Sequence, residues 1–282
     1  MKRFAVVGNP VAHSLSPVIQ AAFAEAAGIR QSYDILFAPL DEFAATVGRF
    51  FDAGGSGLNV TVPFKEQAAA WVDILDPAAA TAGAVNTIVA ADGRFRGHNT
   101  DGAGLVRDLY RRGGVPLKGA RVLLLGAGGA ARGALRPLLE AGPGSLVIAN
   151  RTAGRARGLA AEIGVRGADT HVEGVGLSDV RGRYDVIVNA TSAGMSGDTL
   201  TGLSDGAVRG ALCYDMVYLT GDDGLTGFGR WALRHGARRA VDGLGMLVEQ
   251  AALAFELWHG VAPATEPVLE LLRQRQARAP LR

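Results

Sequence analysis

Lys65 closes the segment NVTVPFK, residues 59–65, where an ammonium follows a strand and a proline with no other cation nearby. Catalytic groups in α/β proteins gather outside the carboxyl ends of the strands, so this lysine, beside Asn59 and Thr61, is a candidate acid/base group. Asp101 stands in the segment NTDG, residues 99–102, and a glycine-rich turn from Gly126 to Arg132 follows a purely aliphatic run. A cation that can protonate an oxygen, a carboxylate and a loop of bare backbone together point to carbonyl chemistry beside a nucleotide.

Leu123 to Leu125 deliver the chain to Gly126, Ala127, Gly128, Gly129, Ala130 and Ala131, which fits G-x-G-x-x-G with alanine in the last place. Gly126 permits a tight turn, Gly128 lets backbone approach a pyrophosphate, and Ala131 lets helix and strand pack closely. The anion would rest on N–H groups at the helix start. A glycine loop with no ligand is the alternative, against which stand the strand before it and the amphipathic helix after it. At the end of the next strand, an acid would hold the ribose 2′-hydroxyl of NAD. This chain instead places Asn150, Arg151 and Thr152 there, then Arg155. Two guanidiniums with an amide and a hydroxyl suit a 2′-phosphate, so NADP is preferred over NAD. Otherwise Arg151 and Arg155, four apart, are a solvated helix face.

The elements that must carry these groups read as two αβ series. Phe4–Val7 is a buried strand ended by Gly8, Asn9 and Pro10, and Ser16 caps a helix that Gly28 stops. Tyr33–Phe37 is a second strand, Asp41 opens a helix through Phe50, and 57–62 is a third strand. That alternation predicts a parallel sheet with helical cover. Val85–Ala90 and Phe95 flank a hairpin turn at Asp92 and Gly93. A helix from near Thr100, with Leu105, Val106, Leu109 and Tyr110 on one side, links two lobes. The second series runs strand Arg121–Leu125, helix to Glu140, strand Ser145–Ala149, helix to Ile163, and strands Tyr184–Asn189 and Ala211–Val217. After Asp242 come two helices, one through Trp258 and one opened by Thr265, which are expected to return to the first lobe.

The chain has 282 residues, 48% of them hydrophobic, enough for two ordinary cores. Its formal charge of +2 comes from dispersed arginines rather than a patch, so nucleic acid is not a favoured partner. The single cysteine, Cys213, excludes an internal disulfide and suits a reducing compartment. No secretory leader and no apolar run of bilayer length is present, so a cytoplasmic protein with no membrane partner is expected. The five histidines show no ligand spacing, and no metal is expected.

A series of segments in order resembles the shikimate dehydrogenase family along nearly the whole chain: GNPVAHSLSP at 8–17, NVTVPFK at 59–65, AGAVNT at 82–87, NTDG at 99–102, GAGGAAR at 126–132, NRTAGR at 150–155, NATSAGM at 189–195, YDMVY at 214–218 and DGLGMLVEQA at 242–251. Members of that family reduce 3-dehydroshikimate to shikimate with NADPH, a step toward chorismate and the aromatic amino acids. The resemblance implies a two-lobed α/β protein. Residues 1–101 would form the substrate-binding catalytic domain and 102–242 a Rossmann-like, doubly wound NADP-binding domain. Residues 243–282 would be helices packing on the substrate domain.

By the same resemblance Lys65 and Asp101 are the catalytic pair. The chemistry agrees, because hydride addition to a ketone leaves an oxygen that needs a proton as its charge grows, and a carboxylate orients the ammonium that gives it. A structural ion pair, or a helix-start role for Asp101, stays open beside this. The resemblance assigns Ser14 and Ser16 to the substrate carboxylate, and Thr61, Asn86, Asp101 and Gln250 to its hydroxyls, with Tyr218 closing the pocket. Asn59 joins this set, although Asn59 and Asn86 could instead tie loops together, and Ser16 could be a plain cap. Met216 and Gly243 fall beside the nicotinamide, with Met216 as a core residue the alternative. The stretch 219–229 departs from the family in carrying Gly227 after Thr226, where relatives commonly have proline.

Three other functions compete. Quinate or an amino analogue could be the substrate of the same transfer, but relatives of that kind tend to carry an acid near Asn150 and threonine at position 16. A noncatalytic NADP sensor would have lost Lys65 or Asp101. A folate dehydrogenase lacks the Ser14 and Ser16 pair and NTDG. Sequence leaves the oligomeric state, a homodimer included, open.

Overall fold

The aliphatic run that opens the chain lies one strand in from the edge of the first of two sheets. A computed structural model describes residues 1–164, 170–191, 202–218 and 224–278. It divides into one unit of Met1–Gly104 with Val248–Leu271 and a second of Leu105–Leu247 with Leu272–Arg282. The boundaries expected from sequence were 101/102 and 242/243.

The first unit runs β1 (Lys2–Gly8), α1 (Ser16–Ala26), β2 (Gln31–Phe37), α2 (Phe43–Asp52), β3 (Gly57–Val60), α3 (Lys65–Trp71), β4 (Ile74–Leu75), α4 (Pro77–Ala82), β5 (Thr87–Ala91) and β6 (Arg94–His98), then the start of α5 (Asp101–Asp108). Its strand order is β2-β1-β3-β5-β6-β4. β1 pairs in parallel with β2 and β3, but β5 is antiparallel to both β3 and β6. The sheet is therefore mixed, not parallel as the alternation predicted. The hairpin imposes this, since Asp92 and Gly93 both have positive φ, 53° and 69°, as a two-residue turn requires. Strand β3 also stops short of residue 62, because Phe64 N–H donates to the Thr61 carbonyl and turns the chain toward α3.

Ala5, Val7, Leu58 and Val60 bury one face of this sheet against Phe43, Val47 and Phe64. On the other face Trp258, near the end of α10 (Leu244–His259), stacks on Phe4 at 4.5 Å and donates from its indole to the Ile88 carbonyl at 3.1 Å. Gly57 is obligatory beneath it, since a Cβ there would lie 2.4 Å from the indole nitrogen.

The second unit is built on β7 (Arg121–Leu125), α6 (Gly129–Glu140), β8 (Ser145–Asn150), α7 (Ala153–Gly164), β9 (His171–Gly176), β10 (Val186–Asn189), α8 (Asp205–Val208), β11 (Leu212–Asp215), α9 (Gly227–Arg234) and β12 (Arg239–Val241), and α11 (Glu266–Arg278), which closes the described chain, begins in the first unit and enters the second at Leu272. Its strands lie in the order β12-β11-β10-β7-β8-β9, and every adjacent pair is parallel. Both faces are covered, as a parallel sheet requires. Val122 and Leu124 enter one core and Leu123 and Leu125 the other, each fully buried. No helix of the described residues is long and apolar enough to cross a membrane.

Candidate functional site

Thr61 and Phe64 form the turn that delivers Lys65 to the first position of α3. Asp101 opens α5 after β6, where the Asn99 side chain accepts its backbone N–H at 3.2 Å. The two meet within the first unit, Lys65 Nζ donating to Asp101 Oδ2 at 2.6 Å. Their side chains are 30% and 20% exposed, and a pair so open contributes about 1 kcal/mol or less to stability. Among the described residues no other partner takes a Lys65 ammonium hydrogen. Two of its three N–H bonds are thus available to an incoming oxygen.

The second oxygen of Asp101 is held by Asn86 Nδ2 at 2.8 Å. Asn86 cannot turn over, because its Oδ1 accepts the Thr100 backbone N–H at 2.9 Å, and an N–H can only donate. The same Oδ1 accepts from the Thr87 hydroxyl at 3.0 Å. Thr87 in turn accepts from Asn59 Nδ2 at 3.1 Å, while the second Asn59 N–H donates to the Asn86 carbonyl at 3.2 Å. Asn59 Oδ1 then faces the Tyr33 hydroxyl, which donates to it at 2.7 Å. One donor direction runs along the network from Tyr33 to Asp101, where it meets the donation from Lys65, and the orientation of Asp101 follows from both. Gln250 joins through Oε1, 3.3 Å from Asn86 Nδ2. Gly104 makes room for it, since a Cβ there would press on the Gln250 backbone at 2.8 Å.

Ser14 and Ser16 lie before and at the start of α1. The N-cap is Leu15, with no side-chain cap, so the expected capping by Ser16 is corrected: Ser16 is the first helical residue, and its own N–H donates to Ser14 Oγ at 3.2 Å. Burial raises the Tyr33 phenol above its ordinary value, with the neighbouring Ser16 hydroxyl acting against that shift. Thr61 is half-buried beside Gly8. Ser14, Ser16, Asn59, Thr61, Lys65, Asn86, Asp101 and Gln250 all belong to the first unit, and Tyr218 to the second. Tyr33, Thr87 and Thr100 were not singled out in the sequence. Thr87 and Thr100 lie inside the quoted segments AGAVNT and NTDG, but only the fold shows where their hydroxyls point.

In the second unit, Gly126 has φ +111°, and a Cβ there would crowd Thr191 at 3.1 Å and the Ala190 carbonyl at 3.2 Å. Its bareness is a demand of the fold. Gly128 and Gly129 differ, since nothing lies within 4 Å of where their Cβ atoms would be. That open space leads to the first turn of α6, whose first internal acceptor is Gly128 O for Arg132 N–H, leaving the N–H groups of 129–131 outward. Ala127 is partly buried, and Ala131 is fully buried in the core beneath. Asn150 ends β8 and donates from Nδ2 to the Thr152 carbonyl at 3.0 Å. Arg151 and Arg155 are exposed, with no ion pair to any described residue. Arg151 precedes α7, so the two do not share a helix face. A cradle of bare backbone with two unpaired guanidiniums beyond it fits a dinucleotide carrying an extra phosphate.

Met216 N–H donates to the Asn189 carbonyl at 3.0 Å, and Gly243 N–H to the Val217 carbonyl at 3.0 Å. A Cβ on Gly243 would lie 2.3 Å from the Met216 carbonyl oxygen, so only glycine fits. Burial raises the carboxyl of Asp215, opposed by Thr226, the Val217 N–H and Asn189. Gly227 begins α9, and Thr226 caps it by accepting the Gly229 N–H at 3.0 Å, which fixes the departure from the family pattern as an ordinary helix start. Residues 192–195 of the NATSAGM segment and 219–223 of the following loop lie outside the described residues.

Residues 6–88 match the shikimate dehydrogenase substrate binding domain, 109–196 the shikimate/quinate 5-dehydrogenase family, and 243–273 the shikimate 5′-dehydrogenase C-terminal domain. The chain is 51% identical over 271 residues to the shikimate dehydrogenase (NADP(+)) of Alkalilimnicola ehrlichii, covering 96% of this chain and 98% of that relative. It superimposes on an Ael1 enzyme from Pseudomonas putida with a TM-score of 0.90 at 42% identity, covering 96% and 98% of the two chains. For shikimate 5-dehydrogenase from Thermus thermophilus, solved with NADP(H) and shikimate, the TM-score is 0.83 at 38% identity, covering 97% and 99%.

Proposed function

The chain belongs to the shikimate dehydrogenase family, and on that premise we propose that it reduces 3-dehydroshikimate reversibly to shikimate with NADPH, in the biosynthesis of chorismate and the aromatic amino acids. The observation that carries the mechanism is the Lys65–Asp101 pair, partly open to solvent with two ammonium hydrogens unspent.

The bound dinucleotide supplies hydride to the carbonyl carbon. The chain's own residues supply the rest. Lys65 donates a hydrogen bond and then a proton from Nζ to the carbonyl oxygen as its negative charge develops, and is reprotonated from solvent. Asp101 takes one ammonium hydrogen through Oδ2 and so aims the remaining two. Asn86, locked by Thr100 and Thr87, keeps the other carboxylate oxygen from turning. Ser14 and Ser16 bind the substrate carboxylate through hydroxyls, Thr61, Asn86, Asp101 and Gln250 the ring hydroxyls with Asn59 beside them, and Tyr218 closes the pocket. Gly126, Ala127, Gly128, Gly129 and Ala130 hold the pyrophosphate. Asn150, Arg151, Thr152 and Arg155 hold the adenosine 2′-phosphate, and Met216 and Gly243 border the nicotinamide.

Quinate dehydrogenation is the second reading, and the absence of an acid at the end of β8 speaks against its NAD-linked form. A cytoplasmic setting suits a biosynthetic step and the buried free thiol of Cys213. The test is steady-state turnover of purified protein with shikimate and quinate, each with NADP and NAD. NADP-linked shikimate oxidation well above the other three supports the proposal, and a quinate or NAD optimum overturns it.

A further inference from the structure

The second unit buries a polar cluster for which the mechanism so far has no use. Helix α5 widens after Asp108 into a π-type turn at Leu109–Gly113, a geometry often kept where function needs it. Arg112, four residues after Asp108, donates to it through Nε to Oδ1 and Nη2 to Oδ2, both at 2.6 Å. The Tyr214 hydroxyl, from the fully buried middle of β11, donates to the same Oδ2 at 2.5 Å. Both Asp108 oxygens are thereby spent within the protein. The Arg112 guanidinium has donors left, and Nη2 reaches the Asp242 backbone carbonyl at 3.3 Å. The Asp242 carboxylate lies 3.7 Å from Arg112 Nη1 and accepts from Arg273 at 3.3 Å.

Asp242 immediately precedes Gly243, the residue pressed onto the Met216 carbonyl. Gly245, two further on, is packed against the same guanidinium, where a Cβ would lie 2.1 Å from Arg112 Nη2. The turn 242–245 is therefore gripped on one side by strand-end backbone and on the other by a planar, bidentate-anchored fork. A lysine in that position would carry the charge without the fork.

We propose that Asp108, Arg112 and Tyr214 are positioning residues, a buried bracket that fixes the Asp242–Gly245 turn against Met216 and so sets where the reactive end of the dinucleotide rests. The inference depends on the reading that Met216 and Gly243 border the nicotinamide. The bracket touches neither the phosphate cradle nor the arginines beyond β8, so it acts on hydride geometry and leaves recognition of the adenosine end alone. Small misplacement of a reacting centre costs turnover steeply.

Three readouts on Arg112→Lys and Tyr214→Phe test it, in the full-length protein. Hydrogen exchange in the ligand-free protein should speed at the Gly243 and Leu247 amides, which donate to Val217 and Gly243 carbonyls, and stay unchanged across β7. Turnover should fall about tenfold or more. The dissociation constant of adenosine 2′,5′-bisphosphate should not change. Unaltered exchange at both amides, unaltered turnover, or bisphosphate affinity lost in step with turnover would each overturn the bracket. Should Arg112→Lys fail to fold, Tyr214→Phe, which removes one hydroxyl, decides alone. Wild-type protein without NADP-linked turnover would sink the cofactor reading instead, while the exchange data would still report on the bracket.

Discussion

At the scale of single residues, the site depends on hydrogen bonds that have only one possible direction. Asn86 and Asn59 each face a group that can only donate or only accept, so their amides are fixed without a strong charge field. Lys65→Ala should lower turnover by about 10²- to 10⁴-fold, the usual worth of a positioned general acid, with little change in the substrate Michaelis constant. Ser14→Ala should do the reverse, raising the Michaelis constant with turnover nearly kept; steady-state kinetics of the two variants separate these outcomes. Arg151→Glu places an acid at the end of β8 and should move the ratio of NADP to NAD efficiencies toward NAD, and an unchanged ratio would refute its contact with the 2′-phosphate. The sequence marks Lys65 and Asp101 separately, 36 positions apart, and the resemblance pairs them. Tyr33 carries no such signal, and Thr87, though inside the AGAVNT segment, is given no role by it, because a hydroxyl's partner is a property of the folded sheet. Ser16 misled for a local reason: a serine before proline looks like a cap, yet Leu15 holds that position and Ser14 supplies the hydroxyl.

At the scale of elements, legibility follows length and burial. Strands β1, β7 and β8 are buried on both faces and read as aliphatic runs, whereas β9 is an edge strand with Gly174 at its centre, where a Cβ would lie 2.4 Å from Ala156 of α7. Elements as short as β4 or α8 offer no periodicity to read. The start of α4 is legible in hindsight, since Asp76 before Pro77 is an N-cap followed by a first-turn proline. Burial draws the Asp76 carboxyl upward, but the His98 hydrogen bond and the Ala79 and Ala78 N–H groups outweigh it, leaving its pKa lowered. A carboxylate lowered in the folded state adds stability that is full above the ordinary carboxylate range and is lost as pH falls through the lowered value. Asp76→Asn should therefore flatten the acid limb of a thermal-midpoint against pH curve, and a limb parallel to wild type would contradict the assignment. Gly57→Ala should cost about 1–3 kcal/mol in denaturant unfolding, because Trp258 must shift from the Ile88 carbonyl.

At the scale of the molecule, each unit owns a sheet and a core, and chemistry-bearing residues are divided between them by kind. The first unit gathers hydroxyls, amides and the Lys65–Asp101 pair; the second gathers bare backbone, guanidiniums and the bracket behind Gly243. The family resemblance was legible because its segments are short, ordered and spread over both units. Cys213 lies in the second core with its thiol pushed up to about 12 by burial. Native protein should leave it unmodified by a thiol reagent that labels the unfolded chain at once. The central claim is an NADP-linked transfer at the shikimate ring driven by Lys65. It is tested most directly by following nicotinamide absorbance with shikimate and NADP in wild-type and Lys65→Ala protein side by side. The account predicts rapid NADPH formation by the first and a loss of turnover, with substrate binding kept, in the second; equal rates in both would contradict it.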